Sequence, residues 1–196
     1  MTENLKALCD EADKLELHGL SRELTQRQLE AHREDYRLLL DLATHEMTFG
    51  RYQEAKAAID HAERVCPPKA MKWVLARRGH LSEGLGDRDA SIRYHLAAHE
   101  LDPEEATYLI YAGSVSFKAG DTDRAIEFAT RATQCAKGCI DEAYFNLGGY
   151  LLAMRRYSEA RDCSRRALEI DPNYRIAQTR LEDVSRILAL ETDNHE

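Results

Sequence analysis

Residues 141–174 read DEAYFNLGGYLLAMRRYSEARDCSRRALEIDPNY. Large apolar side chains recur at Tyr144, Leu147, Leu151 and Tyr157, and small ones stand at Gly148, Ala160 and Ala167. Pro172 closes the stretch, where a helix ends and a turn begins. Small residues at fixed places let one helix press closely against another. The stretch therefore reads as two antiparallel helices of roughly 12–15 residues each.

Aligning the upstream sequence on its glycines, alanines and prolines yields three more copies, at 36–69, 72–105 and 106–139. They start 36, 34 and 35 residues apart, a period near 34. Position 8 is Ala43, Gly79, Gly113 and Gly148; position 20 is Ala55, Ser91, Ala125 and Ala160; position 27 is Ala62, Ala98, Ala132 and Ala167. All twelve are Ala, Gly or Ser, types that supply only 44 of 196 residues, so chance would give the pattern on the order of once in 10⁸. Large apolar residues hold position 4 (Leu39, Leu75, Leu109, Tyr144), and Pro67, Pro103 and Pro172 end three copies. Gly50, Gly86 and Gly120 stand mid-repeat, where a helix end needs a left-handed residue.

This pattern resembles the tetratricopeptide repeat, a helix–turn–helix unit of about 34 residues. The resemblance covers 36–174, and 141–174 matches it most fully. It departs at Arg78, where the family usually has Leu, and at Lys137, which replaces the terminal Pro. The implied fold is all-α, an α-solenoid of antiparallel helix pairs. Residues 175–196 supply a capping helix, periodic at Ile176, Leu181, Val184 and Leu188, and a frayed tail, ETDNHE. Residues 1–35 fit the same register as a degenerate pair: Leu5, Leu8, Cys9, Ala12 and Ser21 fall on positions 4, 7, 8, 11 and 20, and Gln28 breaks position 27. A single long helix from about Ser21 to Phe49 is the alternative there.

Composition agrees. Ala (26) and Leu (24) outnumber Val plus Ile (12), a bias toward helix. The formal charge of −8 argues against a nucleic-acid ligand, and no apolar run is long enough to span a bilayer. The N-terminus lacks a basic region followed by an apolar one, so no signal peptide is expected. Cys9, Cys66, Cys135, Cys139 and Cys163 form no disulfide framework, which points to free thiols in a cytoplasmic setting.

Catalytic motifs are missing: no P-loop, GxGxxG, GxSxG or HExxH pattern occurs, so the chain reads as non-enzymatic and without a cofactor. His95 and His99 are four apart but lack a third ligand, and CAKGC at 135–139 is not a CxxC pair, so no metal site is expected. Arg155, Arg156, Arg161, Arg165 and Arg166 form the densest basic patch; with Glu159, Asp162 and Glu169 among them, they read as a solvated face.

In the family the first helix of each repeat lines a concave groove. By resemblance that groove here carries Trp73, Arg77, Ile110, Tyr111, Phe117, Phe145, Asn146 and Leu152. Aromatic anchors flanked by Arg and Asn suit recognition of a peptide or helix of a partner protein. The expected function is a non-catalytic interaction scaffold. Alternatives are a chaperone for secreted substrates, like the small tetratricopeptide chaperones of type III secretion, and a module that forms homodimers through its N-terminal helices. Tetratricopeptide co-chaperones grip acidic heat-shock C-termini with a two-carboxylate clamp of Lys, Asn and Arg. The clamp positions here hold Leu40, Thr44, Arg77, Thr107 and Tyr111, or, one repeat later, Ala76, His80, Tyr111, Glu142 and Asn146. Neither set supplies the charges, so no strong binding to such a tail is expected.

Overall fold

The computed structural model describes the backbone of residues 2–193 and the side chains of 5–191. Among these residues there are eleven α-helices and no strand; the only β-type pairing is an isolated bridge between Glu105 and Lys137. None of the helices is long and apolar enough to cross a membrane. Residues 194–196 of the expected frayed tail lie outside the described residues, whereas 191–193 end the last helix.

The chain forms two compact units, one up to Leu101 and one from Asp102. The N-terminal unit holds α1 (Thr2–Lys14), α2 (His18–Ala31), α3 (Tyr36–Thr48), α4 (Tyr52–Val65), a 3₁₀ turn at Pro68–Ala70, α5 (Met71–Gly84) and α6 (Arg88–Leu101). Each helix packs on the next, and α3 also packs on α5. The C-terminal unit holds α7 (Thr107–Lys118), α8 (Thr122–Ala132), α9 (Ile140–Ala153), α10 (Tyr157–Ile170) and the capping helix α11 (Arg175–Asp193). Its helices also pack in sequence, with α7 on α9. Within each unit this is the helix-pair stacking of an α-solenoid.

The small-residue columns are the seams of these pairs. All eight residues of positions 20 and 27, from Ala55 to Ala167, are fully buried. At Gly148 a Cβ would sit 3.2 Å from the Ala160 carbonyl oxygen, and at Gly113 3.4 Å from that of Ala125. In these two repeats position 8 of the first helix thus lies against the backbone of the second, and a larger side chain would force them apart.

The mid-repeat turns share one geometry. Gly50, Gly86 and Gly120 have φ of 69°, 82° and 86°. The residue after each donates its N–H to a carbonyl five back: Arg51 to Glu46, Asp87 to Ser82 and Asp121 to Ser116. This is the Schellman closure. It recurs at Arg155 (φ 58°) and Glu16 (φ 54°), where Arg156 donates to Leu151 and Leu17 to Ala12. Two non-glycine residues are thereby held in the left-handed region.

The long-helix alternative for Ser21–Phe49 does not occur. The chain breaks between Ala31 and Tyr36, and the Asp35 carboxylate caps α3 by accepting from the Arg37 N–H at 2.9 Å. Gln28 is tolerated at its small-residue position because its amide donates to the Leu5 carbonyl at 3.5 Å. Arg78 reaches Asp60 at 2.8 Å and also Glu63, so an ion pair with α4 replaces the usual apolar contact. Lys137 has an N–H that Pro lacks, and donates it to the Glu104 carbonyl at 2.9 Å, while its ammonium lies 2.8 Å from the Glu104 carboxylate.

Candidate peptide-binding faces

In the N-terminal unit the surface begins at the start of α5. Trp73 is 42% exposed, the largest apolar side chain left open there. Its ring lies nearly parallel to that of Tyr36 on α3, centroids 6.2 Å apart. Cations flank the pair: Lys72 stands 5.3 Å from the Trp73 centroid, and Arg37 covers the Tyr36 ring at 5.6 Å. One turn along α5, Arg77 is half-buried and faces an open pocket of about 380 Å³ with Thr44, Met47, Tyr52 and His80. The Asp41 carboxyl on α3 is raised above its usual range by burial, which the charges of Arg77 and His45 oppose. Leu40, on the same helix, belongs to the core.

In the C-terminal unit the expected groove residues divide. Tyr111 is 37% exposed and Phe117 38%. Phe117 rests on Tyr150, ring centroids 4.7 Å apart, and burial pushes the Tyr150 hydroxyl up to about 12. Ile110 is buried, at 4% exposure, and so belongs to the interior. Leu152 is half-buried against the core cluster of Leu147, Tyr150 and Leu151. Asn146 is half-buried on α9. Phe145 is covered from within the chain: the Arg180 guanidinium of α11 lies 3.6 Å from its ring centroid and donates to its carbonyl, and Tyr174 stands 5.0 Å away. A Cβ at Gly149 would meet that same guanidinium at 3.4 Å.

The other sequence candidates fall into structural roles. His95 is fully buried, edge-on to His80 with centroids 5.0 Å apart; burial, then the His80 charge, pushes its pKa down to about 3. It fills the space that Gly79 leaves, since a Cβ there would come within 2.6 Å of its ring. The Cys135 thiol donates to backbone carbonyls of Pro103 and Arg131, and all five cysteines are free thiols. Arg156 grips Glu159 with two bonds of 2.6 and 2.7 Å, Arg166 reaches Glu169 at 2.7 Å, and Arg161 and Arg165 each lie 3.6 Å from Asp162. These arginines neutralise acids of α10.

Sequence reasoning passed over two side chains that shape these faces. Tyr36 opens the first repeat and supports Trp73. Arg180 lies 35 residues beyond the ring it covers.

Known proteins share the helix-pair fold. The family described as tetratricopeptide repeat matches residues 76–138 and, through a second pattern, 141–174. The human protein named tetratricopeptide repeat protein 12 is 29% identical over 118 residues, covering 60% of this chain. The chain spans 16% of that relative's length. Among solved structures, TTC0263, a thermophilic tetratricopeptide repeat protein of Thermus thermophilus, superposes with a TM-score of 0.69 at 19% identity, covering 94% of this chain and 98% of that one. The first tetratricopeptide domain of Spaghetti (RPAP3), bound to the HSP90 peptide SRMEEVD, gives 0.55 at 24% identity over 60% of this chain and 95% of that one.

Proposed function

The chain belongs to the tetratricopeptide repeat family, and we propose that it is a non-catalytic scaffold that binds a segment of a partner protein on its first-helix faces. Proteins of this family are in general scaffolds without catalytic chemistry. The observation that carries the reading is the Tyr36–Trp73 stack, left open at 42% of Trp73 and flanked by Lys72 and Arg37. A large ring facing water favours an apolar occupant, and the flanking cations suit acidic or main-chain oxygens beside it. Tyr111 and Phe117 offer a second anchor pair in the C-terminal unit. Arg77 and Asn146 supply donors, one in each unit. Ile110, Leu152 and Phe145 support these faces from beneath or beside them.

Selection of peptides from a random display library against the full chain tests this. Selected peptides should carry apolar or aromatic residues and should shift the emission of Trp73, the only tryptophan. Trp73→Ala should weaken them by ~1–2 kcal/mol or more, while Arg165→Ala should not. Equal binding to both variants would contradict the reading.

A second reading has its own observation. Leu8, Leu15, Leu17 and Leu20 are all at least 45% exposed on and between α1 and α2. Exposure of these leucines favours self-association through the N-terminal pair, which light scattering across a concentration series would reveal.

A further inference from the structure

Three helices of the N-terminal unit bring a thiol, a carboxylate and an imidazole to one place. Cys9 and Asp13 are four residues apart on α1, so they share a face, and His45 approaches from α3. One ligand atom from each lies within 4.8 Å of the others. Cys9 and His45 are buried, while Asp13 is exposed. The Thr25 hydroxyl of α2 stands 3.4 Å from the Cys9 sulfur and 3.4 Å from His45 Nε2, where it can orient either donor.

We infer that Cys9, Asp13 and His45 form a binding site for a zinc ion that fastens α1 to α3. Thiolate, imidazole and carboxylate form a donor set that zinc accepts. Tetrahedral coordination needs donor separations of roughly 3.5 Å, so the side chains close inward by about 1 Å. A cavity of about 370 Å³, lined by Cys9, Asp13, Thr25 and Asp41, gives the ion an entry path and a place for a water ligand. The Cys9 thiolate and the Asp13 carboxylate together balance the charge of a divalent cation. An activated cysteine nucleophile is the other chemistry such a trio suggests, and the surroundings oppose it. Burial raises the Cys9 thiol; the Thr25 hydrogen bond opposes this, but Asp13, Asp41 and Asp10 add to the rise, so it lacks the low pKa a nucleophile needs. A metal ion overrides both effects by binding the thiolate directly.

The test uses the full chain freed of metal by chelation. Zinc should raise its melting temperature, and cobalt(II) should give the near-ultraviolet thiolate-to-metal band in equimolar proportion. Cys9→Ser should abolish the band. Asp13→Asn, at an exposed position, should weaken zinc binding roughly tenfold or more while the melting temperature of the metal-free chain stays unchanged, since even outer-shell partners have effects of that size. His45→Gln should do the same where it folds. An absent cobalt–thiolate band, or a band unchanged in Cys9→Ser because another thiol carries it, would overturn the assignment. So would zinc affinity unaltered by Asp13→Asn.

Discussion

The Arg180 guanidinium on α11 lies 3.6 Å from the centroid of the Phe145 ring on α9 and donates to that residue's carbonyl. The capping helix therefore covers part of the first-helix face on which we propose that a partner segment docks in the C-terminal unit. Tyr111 and Phe117 stay open beside it, and Phe145 acts first as an anchor for α11.

Arg180→Ala should lower stability by about 1–3 kcal/mol, the sum of a half-buried cation–π contact and one hydrogen bond. Arg186→Ala, exposed on the same helix, should stay within ~0.5 kcal/mol of the native chain. Urea unfolding of both variants checks this. Equal effects would mean that Arg180 carries no special contact.

Glu16 and Arg155 hold the left-handed position that glycine occupies in the other three turns. Replacing either with Gly should raise stability by ~0.5–1 kcal/mol, because relief of the left-handed strain outweighs the added freedom of the unfolded chain. Gly120→Ala should lower it by about 1 kcal/mol. Thermal unfolding of the three variants decides; a loss at Arg155→Gly would count against the shared turn geometry.

His95 gives the fold a pH dependence with a definite sign. Its pKa is about 3 when folded, against 6.5 for the free side chain. Between those values the unfolded chain binds a proton that the folded chain does not. Stability from this residue is therefore fully present above pH 6.5 and is lost as pH falls toward 3. The slope reaches at most about 1.4 kcal/mol per pH unit. Denaturant unfolding at about pH 5 and about pH 7 should show His95→Leu losing about 2 kcal/mol less than the native chain over that interval. Parallel losses would show that His95 titrates in the fold as it does in the unfolded chain.

A heat-shock tail should not bind, even though a protein of the same fold takes the HSP90 peptide SRMEEVD. The clamp positions offer Leu40, which is core, and Thr44, whose hydroxyl donates to the Leu40 carbonyl at 2.9 Å. Calorimetry with that heptapeptide should give a dissociation constant weaker than ~100 μM. Micromolar affinity would contradict this.

The helix pairs were legible because the seam demands small residues, and Ala, Gly and Ser rarely fill three whole columns by chance. The break before α3 was not legible, because the polar run HREDY at 32–36 continues a helix as readily as it ends one, and Asp35 acts as a cap only once the chain turns there. The faces were only half legible. Register places Ile110 and Tyr111 side by side, yet one is core and the other open. That difference depends on which neighbouring helix covers the position. Arg180 over Phe145 lies beyond the reach of any local pattern. The Cys9, Asp13 and His45 cluster shows one spacing in sequence, four residues on α1, while its third member arrives through tertiary packing.

We propose that partner segments dock on the first helices of the repeats. Hydrogen exchange of the full chain with and without a selected peptide measures this most directly. Protection should concentrate on α3 and α5 around Tyr36 and Trp73, or on α7 around Tyr111 and Phe117. Protection confined to α10, over Arg161, Arg165 and Arg166, would contradict the account and move the binding surface to the basic face.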